Sequence, residues 1–159
     1  MAQPQAAGTF TPHEATAGAI PVAFCRVGGS IRPTRDSDIR FEIWLPRTGW
    51  TGRYESVGNG GFAGVIPLGA MVRPLMGDSA VAGTDDGHAT SVNTQAEWAL
   101  GHPEKIIDFG YRAVHLTAAI GKLITAAYYG SKPKYSYFIG CSTGGREALT
   151  EAQRYPRDF

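Results

Sequence analysis

Between Lys134 and Arg154 the chain changes from strand to helix with almost no room to turn. Lys134-Tyr135-Ser136-Tyr137-Phe138-Ile139 is aromatic and β-branched, the composition of a strand. It runs directly into Gly140-Cys141-Ser142-Thr143-Gly144-Gly145, after which a helical stretch from Arg146 to Arg154 closes at Tyr155-Pro156. A strand that becomes a helix within a few residues brings two backbones close together, so the turn needs residues with little side chain. Gly140 and Gly144 flank Ser142 in a G-x-S-x-G pattern that meets this need. Two readings follow. Either Ser142 is a nucleophile at the tip of a strained turn, facing the free N–H groups and positive end of the next helix, or the segment is an ordinary Gly/Ser turn.

The rest of the chain supports alternating strands and helices. Ile20-Pro21-Val22-Ala23-Phe24-Cys25-Arg26-Val27 is an apolar run stopped by Gly28-Gly29. Ile39 to Pro46 alternates, with Ile39, Phe41, Ile43 and Leu45 on one face of a half-buried strand. Arg53 to Val57 reads as another strand, and a short helix fits between Pro67 and Pro74. Ala80 to Thr84 is a short buried strand stopped by Asp85-Asp86-Gly87. Pro103 and Glu104 suit a helix start. Ile106, Gly110, Val114, Thr117, Ile120, Ile124 and Ala127 then mark one face of a long helix, ended by Gly130. This order predicts an α/β fold with a mostly parallel sheet and helices on its faces. Residues 1–24, rich in Ala, Gly, Thr and Pro, read as a loose N-terminal segment before a domain at 25–159.

Composition narrows the function classes. With 159 residues and 43% apolar content, the chain is the size of one domain. Fifteen basic residues against 14 acidic leave a net charge of +1, which argues against a nucleic-acid surface. No apolar run approaches the roughly 18 residues of a membrane span, and Met1 to Ala19 does not read as a signal peptide. The 21 glycines follow no fixed period. Cys25 and Cys141 are too few for a disulfide scaffold. They could be free thiols, a mutual bridge or halves of other bridges. A mutual bridge is not expected, because Cys141 lies in the tight turn and Cys25 at the periphery.

Gly58-Asn59-Gly60-Gly61 at a strand end is the second candidate site element. Glycines there let backbone N–H groups face a negative charge. Three readings compete: one donor of an oxyanion hole, an ordinary turn, or a dinucleotide fingerprint formed by Gly58-x-Gly60-x-x-Ala63 with Asp85 downstream. Pro67 speaks against the last, since it falls early in the helix that must open at the glycines. Thr84-Asp85-Asp86-Gly87-His88 reads as a strand-end turn in which Asp side chains cap backbone groups. His115 reads as packing or surface, and His13 and His102 carry no evident role. No metal site is expected in the chain.

Behind Ser142 the sequence offers Asp158 but no histidine, whereas a Ser, Asp/Glu, His order is needed for a triad of this kind. The chain therefore reads as a fragment. Five segments together resemble the N-terminal part of the tannase and feruloyl esterase family from about Cys25 to Phe159. They are Phe41 to Pro46, Gly58 to Gly64, Thr84 to His88, Phe109 to His115 and Gly140 to Arg146. The resemblance implies part of an α/β-hydrolase core, without its lid domain and C-terminal catalytic half, and serine hydrolysis of aromatic esters such as hydroxycinnamoyl or galloyl esters. It makes Ser142 the nucleophile, and the N–H groups of Thr143 and of Gly60 or Gly61 the oxyanion hole. It makes Cys141 one half of a disulfide to a cysteine beside the catalytic histidine. It also implies secretion or periplasmic export, and a calcium ion in the lid, among residues outside this sequence. The alternative from another class is a non-catalytic half-domain or binding module. The Tyr135 to Ile139 strand is expected to be an apolar edge through which the chain can self-associate, and the chain alone is expected to be inactive.

Overall fold

Six strands form one mixed sheet in the computed structural model, which describes residues 1–13, 18–90 and 94–159. They are β1 (Ala2–Gln5), β2 (Phe24–Ile31), β3 (Ile39–Pro46), β4 (Arg53–Val57), β5 (Ala80–Thr84) and β6 (Tyr135–Ile139), in the order β1-β2-β3-β5-β4-β6. The α/β class is as expected, but parallel pairing is confined to β4 with β5 and β4 with β6; the other three pairs are antiparallel. The cause is connection length. The few residues between β2 and β3 allow only a hairpin, whereas β4 to β5 and β5 to β6 cross over through helices. Those helices are α1 (Leu68–Met76), α2 (Pro103–Ile107) and α3 (Ala113–Tyr129), and α4 (Thr143–Arg154) follows β6. No helix among the described residues is long and apolar enough to cross a membrane.

The described part of residues 1–24 is not a loose segment; residues 14–17 of that expected stretch lie outside the described residues. Ala2–Gln5 pairs antiparallel with β2, from Ala2 opposite Val27 to Gln5 opposite Phe24. Ile20 is buried, and the Phe10 ring packs edge-on against Phe24 and Trp44. Four residues with a proline show no readable alternation, yet an edge strand tolerates them. Gly28-Gly29 does not stop β2 either. The strand pairs with β3 along its full length, and the Phe41 ring lies over Gly29, where a Cβ would come within 2.8 Å of Cζ.

β3 is buried on both faces rather than one. Ile43, Leu45, Tyr54 and Ala82 form one core with Ile120 and Ile124 of α3. Trp44, Val57 and Val81 form the other with Leu68, Met71 and Leu75 of α1. Burial of Glu42 on that second face is compensated by donors: Trp44 Nε1 donates at 2.8 Å and Arg26 Nε at 2.7 Å, and Arg26 Nη2 reaches the other oxygen. Arg26 in turn lies over the Phe10 ring at 4.6 Å.

The long helix contains a π turn at Asp108–Arg112, between α2 and α3. Such a turn adds a residue and rotates everything after it relative to an unbroken helix. Ile106, expected on the buried face, is consequently 51% exposed, while Asp108, Ala113, Val114, Thr117, Ala118 and Gly121 are buried. β6 lies at the edge of the sheet, with Tyr135, Tyr137 and Ile139 exposed.

Candidate active site

Ser142 stands between β6 and α4 with φ 55° and ψ −119°, a backbone conformation that L-residues rarely adopt. Its side chain does not cap α4 and is exposed. α4 begins at Thr143, earlier than the expected Arg146, so Ser142 immediately precedes the helix. The turn is held by glycine contacts. A Cβ at Gly140 would lie 2.4 Å from both the carbonyl carbon and oxygen of Gly144, and one at Gly58 would lie 2.5 Å from Gly144 Cα. β4 and β6 are parallel neighbours, so the loop after β4 and the turn after β6 meet at one end of the sheet.

That meeting is bonded. Gly58 N–H donates to the Ile139 carbonyl at 2.9 Å, and Gly144 N–H donates to the Asn59 carbonyl at 2.9 Å. The Thr143 hydroxyl donates to the Gly61 carbonyl. Gly60 and Gly61 are thereby brought beside the serine turn. The N–H groups of Gly144, Gly145 and Arg146 are taken by backbone carbonyls, and that of Asn59 by Glu147. Among the described residues no such bond engages the N–H of Gly60, Gly61 or Thr143. A cleft of about 720 Å³ opens beside them, lined by Val57, Gly58, Asn59, Gly60, Gly140 and Cys141.

The glycine loop opens no helix. Ala63 N–H closes a turn on the Gly60 carbonyl, and α1 starts only at Leu68 behind Pro67. A dinucleotide site needs a helix starting at the glycines, so that alternative is overturned. Asp85, its intended ribose partner, instead accepts the N–H groups of Arg40 at 3.0 Å and Gly87 at 2.9 Å, the capping turn expected.

His88 is buried, stacked on Trp98 at 3.8 Å, and its Nε2 lies 2.7 Å from the Phe62 carbonyl of the glycine loop. Burial lowers its pKa, keeping the ring neutral. It braces the loop. His102 bonds Asp36 at 2.6 Å, and His115 bonds Asp158 at 2.7 Å. Cys25 and Cys141 are both free. Three strands separate β2 from β6, a gap of about 19 Å at the usual strand spacing, whereas a disulfide needs Cα atoms within about 7 Å.

Sequence reasoning missed the support beneath the turn. Glu147 of α4 is buried and accepts the Asn59 N–H at 3.2 Å, fastening the glycine loop to the helix. Asp86, fully buried, receives no hydrogen bond at either oxygen, nor does Glu147 Oε1. Burial first, and the neighbouring Glu147 carboxylate second, raise the Asp86 pKa well above the ordinary carboxyl range. Both effects favour the protonated form of Asp86. Arg146 donates to the Gly110 carbonyl at 2.8 Å and the Phe109 carbonyl at 3.0 Å, and covers the Phe109 ring at 4.4 Å. Both carbonyls belong to the π turn. The spacing of Arg146 and Glu147 behind the serine was visible; their partners, distant in sequence, were not.

The Asp86 proton gives stability a pH slope. Unfolded, Asp86 ionises near pH 4; folded, it stays protonated to higher pH. Its contribution is thus fully present below about pH 4 and is lost as pH rises toward the folded pKa. Asp86→Asn keeps a donor to Glu147 and removes the ionisable group. Urea unfolding at pH 5 and pH 8 is expected to show the variant losing less stability across that interval, and exceeding the parent at pH 8.

Strands closed over by helices on both faces, with a strained serine where the last of them turns into a helix, define the opening part of an α/β-hydrolase. The solved feruloyl esterase B from Aspergillus oryzae superposes with a TM-score of 0.90 at 31% identity, over 100% of this chain and 32% of that one. The chain belongs to the tannase and feruloyl esterase family, whose model matches residues 25–159. An uncharacterized esterase of Xanthomonas campestris pv. campestris is 47% identical over 154 residues, 96% of this chain and 26% of the relative. A probable feruloyl esterase B-2 of Aspergillus terreus is 38% identical over 145 residues, 91% of this chain and 27% of the relative. The chain thus spans about a quarter of the length of the curated relatives it matches. Tannin acyl hydrolase from Aspergillus niger, at 24% identity and a TM-score of 0.73, shares the fold.

Proposed function

We propose that this chain supplies the nucleophile and oxyanion donors of a carboxylic ester hydrolase acting on aromatic esters. The observation that carries the reading is the strained Ser142 with the unengaged N–H groups of Thr143, Gly60 and Gly61 around it. Ser142 Oγ attacks the ester carbonyl carbon while its proton passes to a histidine supplied by the remainder of a complete enzyme. The carbonyl oxygen becomes an oxyanion, stabilised by the N–H of Thr143 and one from the glycine loop; each such donor is typically worth about 3–4 kcal/mol. Collapse expels the alcohol with that proton and leaves an acyl-serine, which water hydrolyses to the acid. Aromatic acyl groups are favoured because relatives are named for feruloyl and tannin substrates. Export belongs to the same reading, since Cys141 can enter a lasting disulfide only in an oxidising compartment.

A chimera tests this against a non-catalytic binding module. Residues 25–159 replace the matching segment of the Xanthomonas relative, and hydrolysis of methyl ferulate and methyl gallate is followed. The chimera is expected to be active, and Ser142→Ala within it to lose about 10⁴-fold or more in kcat. A folded chimera without turnover, or turnover that survives Ser142→Ala, overturns the reading.

A further inference from the structure

His115 of α3, Glu151 of α4 and Asp158 of the turn beyond α4 meet on the face of the molecule opposite α1. Each offers a ligand atom, and the three atoms lie within 4.8 Å of one another. Clustering alone would mean little, but Glu151 is 2% exposed and neither of its carboxyl oxygens has a hydrogen-bond partner. A buried carboxylate without any donor is costly unless a cation or a proton satisfies it. The nearest cation is turned elsewhere: Lys122 Nζ lies 2.8 Å from the Asp158 carbonyl and 3.3 Å from Asp158 Oδ1. His115 is positioned by stacking on Tyr155 at 3.6 Å, and its Nδ1 meets Asp158 Oδ2 at 2.7 Å.

We propose that His115, Glu151 and Asp158 form a binding site for one divalent transition-metal ion, with zinc the best match. One imidazole nitrogen and two carboxylate oxygens are a donor set for zinc rather than calcium, which takes six to eight oxygens. Tetrahedral bonds of about 2.0–2.2 Å place ligand atoms about 3.3–3.6 Å apart, so side-chain rotations that bring the widest pair together by roughly 1 Å close the site. Three protein ligands leave a fourth position for water. Two carboxylates balance the ion's charge, and Lys122 remains on the Asp158 carbonyl. A cavity of about 220 Å³, lined by Glu151, Tyr155, Pro156 and Phe159, gives the ion a path in. The bound ion would join α3 to α4 at the end of α4 away from Ser142, a role separate from ester chemistry.

Cobalt(II) titration of the full chain tests the site, in a Cys25→Ser/Cys141→Ser background that removes thiol ligands. One equivalent is expected to bind with visible d–d absorption, to be displaced by zinc, and to raise the melting temperature. Glu151→Gln, isosteric and with its fold checked by circular dichroism, is expected to weaken binding at least about tenfold, and His115→Gln likewise. Lys122→Met, which removes a competing cation from Asp158, is expected to bind at least as tightly as the parent. Absence of binding by the parent overturns the proposal and leaves a proton shared by Glu151 and Asp158 as the explanation. Equal affinity in folded Glu151→Gln also overturns it, and if that variant does not fold, His115→Gln decides on the same criterion.

Discussion

Gly140→Ala is expected to destabilise the chain by about 3 kcal/mol or more in urea unfolding, at the upper end of what forced overpacking costs. The added methyl would meet the carbonyl carbon and oxygen of Gly144 at 2.4 Å and its Cα at 2.7 Å. These are backbone atoms at the start of α4, so no rotamer change relieves the contact. Gly144 cannot retreat, because its own Cβ position already lies 3.1 Å from Gly58 Cα and its N–H is bonded to Asn59. Gly145→Ala is the control. Nothing lies within 4 Å of that Cβ position, and alanine in a helix is favoured over glycine by up to about 1 kcal/mol. Equal losses in the two variants would show that the strand-to-helix turn is not held by this packing.

The second large effect is a missing one. Incubated alone with methyl ferulate or methyl gallate, the 159-residue chain is expected to release acid no faster than its Ser142→Ala variant, about 10⁴-fold or more below a complete serine esterase. A serine hydroxyl needs a base within hydrogen-bond reach. His88 is fixed on the Phe62 carbonyl, His102 on Asp36 and His115 on Asp158, and none of these bonds leads to Ser142. His13 lines a different cleft, with Arg26, Arg40 and Glu42. Turnover abolished by Ser142→Ala would mean that a base is found within these residues. His88, which already touches the glycine loop, would then be the first side chain to replace.

What the sequence made legible were features carried by contiguous residues. β3 to β6 lie where alternation, β-branching and the flanking glycines put them, because a few neighbouring residues encode each strand. The Ser142 turn was legible for the same reason: Gly140 is required by its contacts with Gly144 in the same segment, although Gly144 itself is pressed by the distant Gly58. Asp85 capping Gly87 follows from local turn chemistry, whereas its bond to the Arg40 N–H reaches 45 residues along the chain. Features that depend on distant partners were not legible. β1 exists because β2 offers it a free edge, and Gly28-Gly29 stays in a strand because Phe41 covers it. The π turn breaks the helical period, so Ile106 was placed on the wrong face. The Asp86–Glu147 pair and the Arg146 bonds join segments far apart in sequence, and no local pattern announces them.

The Arg146 bridge has a consequence for how the molecule opens. Its guanidinium holds the carbonyls of Phe109 and Gly110 while its backbone sits in the first turn of α4, four residues beyond Ser142. Neither segment can fray without leaving the other short of hydrogen bonds. Amide protons of residues 108–113 and 144–147 should therefore exchange with solvent as one cooperative unit, with a shared opening free energy. The reactive turn then borrows its lifetime from a helix defect more than thirty positions upstream, and loosening that defect would release the serine before the sheet itself gives way.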